Sequence, residues 1–176
     1  MRIGLFGGSF NPIHAGHLRI ARRALAEERL DRLLVIPAKV NPFRIDAPGA
    51  TLPGGFSDGD RWRFVVRVCA DDPRLEPWDV ELRRADGAPS YAIDTVRAAQ
   101  LRFPGAEFIY VIGEDNVEGL PRWKDWETLR TLVRFVAYPR TPESSTEIRR
   151  RLLAGESLGD LVPPSIAQEL ESFTRR

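Results

Sequence analysis

The sequence predicts a doubly wound α/β fold: a parallel sheet of about five strands, helices on both of its faces, and a helical C-terminus. Three observations carry that expectation. Short apolar strand signals alternate with helical patterns along the chain, the order that produces parallel βαβ units. Turns rich in Gly or Pro interrupt the apolar runs. The segments richest in chemistry-bearing residues, 7–17, 37–44, 113–115 and 139–146, each fall just past a strand signal. Open α/β sheets bind ligands there, beyond the carboxyl ends of their strands.

The elements follow in order. Residues 2–6 read as a first strand, and His17 to about Arg29 as a helix with Leu18, Ala21 and Leu25 on one face. Residues 32–36 form a second strand ended by Pro37. From 37 to 59 the chain is rich in Pro and Gly with little periodicity, which predicts a long functional loop. Asp60 is placed to N-cap a helix through Cys69, and 75–82 reads as a strand followed by an Asp86-Gly87 turn. Ser90 is placed to cap a helix over 91–103, whose Ile93, Val96 and Ala99 share a face. Glu107 to Ile112 is a strong buried-strand signal. A helix over 126–132, a last strand over 134–138, and helices from Ser145 to about Leu153 and over 164–173 complete the chain.

The 176 residues predict one domain, 1–176, with 43% hydrophobic and 29% charged residues. Lys and Arg number 26 against 25 Asp and Glu, so no broad basic footprint for nucleic acid is present. The single Cys69 excludes an intramolecular disulfide and, inside Val-Val-Arg-Val-Cys-Ala, reads as a small buried hydrophobe. No apolar run reaches the roughly 18 residues of a membrane span, and the N-terminus lacks a basic leader region, which predicts a cytoplasmic protein.

The most informative segment is Gly7-Gly8-Ser9-Phe10-Asn11-Pro12-Ile13-His14-Ala15-Gly16-His17, directly after the first strand. Such a turn exposes backbone N–H groups beside a helix N-terminus, which favours an anion. His14 and His17, three residues apart, are aimed at one bound group. Neither a Walker A sequence nor G-x-G-x-x-G occurs, so hydride-transfer chemistry is disfavoured. No H-E-x-x-H or Cys cluster exists, and no protein metal site is expected. Ser144-Ser145-Thr146-Glu147-Ile148-Arg149 offers hydroxyls at a helix start with Arg149 one turn later; alone it is a capped helix, but paired with the histidine turn it reads as the opposite wall of a phosphate site. Arg150 and Arg151 are expected to be solvated. Trp123, after Leu120-Pro121-Arg122, suits ring stacking or packing equally, whereas Trp62, Trp78 and Trp126 read as packing residues.

These motifs together resemble the nucleotidyltransferase superfamily with an H-x-G-H turn, and more closely bacterial nicotinate-nucleotide adenylyltransferases. The similarity spans almost the whole chain and includes Ser90-Tyr91-Ala92-Ile93-Asp94-Thr95, Gly113-Glu114-Asp115 and Pro121-Arg122-Trp123. The resemblance implies a Rossmann-like domain in which ATP and nicotinate mononucleotide give nicotinate adenine dinucleotide and pyrophosphate. It implies that His14, His17, Ser145, Thr146 and Arg149 hold the triphosphate, with Gly7, Gly8, Ser9 and Phe10 near the phosphates. Gly113 and Asp115 would lie near the adenosine ribose. Asn11, Arg44, Tyr91, Ala92, Trp123 and Lys124 would serve the acceptor, Trp123 by stacking on its ring. Mg²⁺ would enter mainly on the triphosphate. The two small molecules are the implied partners, with no nucleic acid and no membrane.

Three features depart from the family pattern. Its Pro-Pro-His-Lys loop reads Asn41-Pro42-Phe43-Arg44, its Ser-Tyr-Thr reads Ser90-Tyr91-Ala92, and only residues 139–143 join the last strand to the Ser-Ser-Thr segment. A changed base, such as that of CTP, or a changed acceptor (nicotinamide mononucleotide, phosphopantetheine) is therefore the rival within the enzyme class. A non-catalytic nucleotide-binding module is the rival outside it, disfavoured by the convergence of His14, His17 and Arg149.

Overall fold

Alternate side chains of a strand face opposite sides of its sheet, and that period sorts the apolar residues of this chain into two cores. The structure, a computed structural model, describes residues 1–40, 55–84 and 89–173. Five strands, β1 (Arg2–Gly8), β2 (Arg32–Pro37), β3 (Leu75–Pro77), β4 (Glu107–Gly113) and β5 (Arg134–Tyr138), form one sheet in the order β3-β2-β1-β4-β5. Every pairing is parallel, with Leu5 opposite Leu34 on one side and Tyr110 on the other.

Helices α1 (Ala15–Glu27), α2 (Asp58–Cys69), α5 (Ser145–Ala154) and α6 (Pro164–Ser172) contribute Leu18, Phe64, Ile148 and Ile166 to one core, which also takes Leu33, Val35, Ile109 and Val111. Helices α3 (Ala92–Arg102) and α4 (Trp126–Leu132) contribute Ile93, Val96 and Leu129 to the other, with Ile3, Leu5, Leu34, Phe108 and Tyr110. Central strands buried on both faces read as continuous apolar runs, which is why 107–112 is legible as a strand. Gly4 leaves room for the first core, since a Cβ there would come within 2.2 Å of Leu33 Cδ1. The expected doubly wound α/β class is what the structure has.

Four boundaries differ from expectation. The first helix begins at Ala15, because His14 takes the extended N-cap position and His17 falls in the first turn. Ser57, not Asp60, caps α2; its Oγ accepts from the Asp60 N–H at 3.1 Å. β3 stops at Pro77 instead of reaching residue 82, because Pro77 has no N–H to donate and Trp78 N makes the last bond, to Val35 O, before 79–84 turns. Ser90 does not cap α3; Tyr91 is its N-cap and the Ser90 hydroxyl is engaged elsewhere. After β4 the chain forms a 3₁₀ segment, Glu114–Arg122, that delivers Trp123 at its end. The Asp86-Gly87 turn and residues 41–54 of the long loop lie outside the described residues. No helix among the described residues is long and apolar enough to cross a membrane.

Candidate active site

In the order β3-β2-β1-β4-β5 the winding reverses at β1 and β4, and the chain opens a cleft where those two strands end. The cleft measures about 570 Å³ and gathers segments 6–17, 90–92, 110–116, 122–124 and 140–149. Of the residues singled out from the sequence, all but one line it; Arg44 lies outside the described residues.

Among the described residues, three side chains hold the Gly-rich turn by its carbonyls, and Ala38 N adds a backbone bond to Gly8 O. Arg61 of α2, 5% exposed, donates from Nη1 to Ser9 O at 2.5 Å and from Nη2 to Asp58 Oδ1 at 2.7 Å. Ser145 Oγ donates to Pro12 O at 2.9 Å, and Arg149 Nη1 donates to Asn11 O. These bonds fix the path of the turn along the wall of the cleft. Phe10 sits in the turn with a left-handed backbone (φ 42), held by a ring that is 2% exposed and edge-on to Phe6 and His17. Packing of that kind is what sustains an unfavourable backbone conformation at a functional turn. Arg61 was missed in the sequence because its α2 position reads as an ordinary charged helix residue.

His14 and His17 stack, with ring centroids 3.6 Å apart at 30°. His17 Nδ1 accepts from His14 N–H at 3.2 Å, so a neutral His17 carries its proton on Nε2. Burial lowers the His14 pKa to about 4; Glu143 opposes the shift and Arg19 adds to it. Burial, and then its neighbour His14, hold the His17 pKa well below the ordinary value. Both rings are therefore neutral at pH 7, able to donate N–H bonds to an anion without a charged imidazole beforehand. His14 is 6% exposed.

Opposite the histidines, Ser144 caps α5 by accepting from Glu147 N at 3.1 Å, which directs the start of that helix at the cleft. Arg149 is 8% exposed, and its Nη2 donates to Thr146 Oγ1 at 3.3 Å. Arg150 is exposed and pairs with Glu147 and Glu156, while Arg151 is half-buried against Glu147. Arg151 is thus less solvated than the sequence suggests. The short 139–143 segment packs on α1 through Gly16, where a Cβ would meet Thr141 Oγ1 at 2.0 Å and Glu143 Oε2 at 3.0 Å. Glu143 pairs with Arg19, and Arg140 Nε stands 4.0 Å from Asp115 Oδ2.

The far half of the cleft is aromatic. Trp123 is half-buried, edge-on to Tyr110 at 5.8 Å and to Phe135 at 5.9 Å, so it both packs and faces the cavity. Trp62 packs on the α1/α2 side, while Trp78 and Trp126 pack on the α3/α4 side. Lys124 lies over the Tyr91 ring at 4.5 Å, and its Nζ is 3.8 Å from Asp94 Oδ2. Asn11 Oδ1 accepts from Phe56 N at 3.0 Å, so this side chain braces the segment leading into α2. Glu81, 5% exposed, also lines the cavity; its Oε1 accepts from Thr95 Oγ1 at 2.6 Å and its carboxyl also bonds Ser90. Burial pushes the Glu81 carboxyl above the usual range against those bonds. Ser90 Oγ in turn accepts from Lys39 N at 3.0 Å. Cys69 is buried beneath α2 with its thiol pushed up to about 12, as its apolar run predicts.

A cleft walled by a histidine turn and a Ser-Thr helix start fits a nucleotidyltransferase, and residues 5–151 match the cytidylyltransferase-like family model. The chain is 36% identical over 188 residues to the probable nicotinate-nucleotide adenylyltransferase of Shouchella clausii, covering 97% of this chain and 94% of that protein. It is 36% identical over 190 residues to the probable nicotinate-nucleotide adenylyltransferase of Thermus thermophilus, covering 97% of each. In fold it is similar to Plasmodium falciparum nicotinic acid mononucleotide adenylyltransferase complexed with NaAD, with a TM-score of 0.72 at 12% identity over 98% of this chain and 95% of that one. The chain belongs to the cytidylyltransferase-like family and, within it, to the nicotinate-nucleotide adenylyltransferases, a family of nucleotidyltransferase enzymes.

Proposed function

We propose that this chain, as one domain over residues 1–176, transfers the adenylyl group of ATP to nicotinate mononucleotide, giving nicotinate adenine dinucleotide and pyrophosphate. The observation that carries the reading is the convergence in one cleft of His14, His17, Thr146 and Arg149 beside the Gly-rich turn, and of Trp123 with the α3 start at the other end.

The acceptor's 5′-phosphate is already an anionic nucleophile, so no side chain need take its proton. One of its oxygens bonds the α-phosphorus as the bond from that phosphorus to the pyrophosphate oxygen breaks. Alignment and stabilisation of the departing charge then supply the catalysis. In this reading the neutral imidazoles, the turn's N–H groups and Arg149 donate to the triphosphate. Asp115, exposed at the cleft beyond β4, serves the adenosine ribose beside Gly113. Trp123 stacks on the pyridine ring, with backbone N–H groups of Tyr91, Ala92 and Lys124 available to its carboxylate.

Among the described residues no group of three or more His, Cys, Asp or Glu is arranged to hold a metal ion. Mg²⁺ would enter mainly on the triphosphate oxygens, where it would neutralise charge on the leaving pyrophosphate. ATP as substrate and a single thiol fit a cytoplasmic setting.

Release of pyrophosphate is the direct test, with ATP and either nicotinate or nicotinamide mononucleotide as acceptor. Lys124 and the α3 start favour the carboxylate, and Ala92 lacks the hydroxyl the family places there, so a reduced but real preference for nicotinate is expected. Equal kcat/KM for the two acceptors would overturn the acceptor assignment.

A further inference from the structure

Glu81 takes no part in the transfer described above, yet it is the most deeply buried carboxylate among the described residues and lies in the cavity wall. Burying a carboxyl is costly unless an opposite charge and hydrogen bonds compensate it. Hydroxyls from Thr95 and Ser90 supply hydrogen bonds but no charge. Charge from Arg84 and Arg61 reaches the Glu81 carboxyl as well, but each guanidinium is also bonded elsewhere, Arg61 to Asp58 and the Ser9 carbonyl and Arg84 to Asp94.

The position of Glu81 indicates what it serves. Its bond to Ser90 puts it beneath Tyr91 and Ala92 at the start of α3. Its charge acts on Tyr110, which packs edge-on to Trp123. Glu81 is thus in the wall of the cleft that carries the α3 start and the aromatic rings. A pyridine ring bonded through nitrogen to ribose carries a fixed positive charge, which survives at every pH.

We propose that Glu81 is a specificity-determining residue whose buried carboxylate complements that fixed charge, so that the acceptor half selects an N-glycosylated pyridinium over an uncharged dihydropyridine. The inference rests on the acceptor reading given under Proposed function. A ring cation and the carboxylate relieve one another's desolvation, and Trp123 adds attraction through its ring face.

The experiment measures, by calorimetry, binding of nicotinate mononucleotide and of its 1,4-dihydropyridine form to the wild-type protein and to Glu81→Gln. The two ligands share phosphate, ribose and carboxylate and differ in ring charge. Gln keeps the shape and can still accept the Thr95 bond. Glu81→Gln is expected to weaken the oxidised ligand about tenfold and to leave the dihydropyridine and ATP within about twofold. Equal weakening of both ring forms, or of neither, would overturn the proposal. Should Glu81→Gln fail to fold, the wild-type comparison decides, because parity between the ring forms overturns the proposal and preference for the oxidised ring supports it. Wild-type protein that binds neither mononucleotide would overturn the acceptor reading itself, a result distinct from binding without selectivity.

Discussion

Lowering the pH from 7 to 5 should destabilise this protein through His14 in particular, and the size of the effect follows from its burial. The His14 pKa is about 4 in the folded chain against 6.5 for an unburied imidazole, with desolvation the largest cause. Groups facing it are His17, whose ring stacks on it, and Glu143 and Arg19, whose charges oppose one another. Between those two values the unfolded chain binds a proton that the folded chain does not. Stability from keeping His14 neutral is therefore fully present above about pH 6.5 and is lost as the pH falls toward 4. Integrated from pH 7 to pH 5, one such group costs about 2 kcal/mol. Urea unfolding of wild-type protein and His14→Asn at both pH values measures it, together with the smaller part of the His17 shift that His14 itself causes. The wild-type should lose about 2 kcal/mol more than the variant over that interval. Equal losses in the two proteins would show that His14 titrates normally and that the neutral-imidazole account of the site is wrong.

His14→Ala and His17→Ala should each fold and lower turnover by about 10²–10³, the usual consequence of losing one donor to developing charge; steady-state losses under about fivefold for both would reject their assignment. Trp123→Ala should weaken the acceptor by about 1–3 kcal/mol in calorimetry while ATP binding holds. Unchanged acceptor affinity would leave its contacts with Tyr110 and Phe135 as its whole role. In competition among equimolar ATP, CTP, GTP and UTP, ATP should be preferred with measurable use of a second triphosphate, because the 139–143 segment is too short to offer the base an extended backbone wall. An ATP preference above about a thousandfold would show that the short segment, seated on Gly16, still reads adenine fully.

The sequence by itself determined the fold class, because hydrophobic period is a local property. Ile109 and Val111 against Phe108 and Tyr110 alternate between two cores, and only a sheet covered on both faces asks for apolar residues at every such position. The histidine turn and the Ser-Ser-Thr-Glu-Ile-Arg segment were legible as well, since a motif contiguous in sequence carries its own geometry.

Only the tertiary structure decided how those segments are held. Arg61 reaches across 52 residues to the Ser9 carbonyl, and no pattern within α2 announces it. Asn11 lines the cleft and also holds Phe56 through its Oδ1, while Ser90 was expected to cap a helix and instead joins Glu81 to Lys39. Short polar side chains bond whichever partner the folded chain brings within reach, so their sequence neighbours do not choose for them. The protonation of the histidines is a tertiary property too. His14 and His17 are ordinary imidazoles in the chain and become neutral donors only where folding buries them, His17 against the edge-on Phe10 ring.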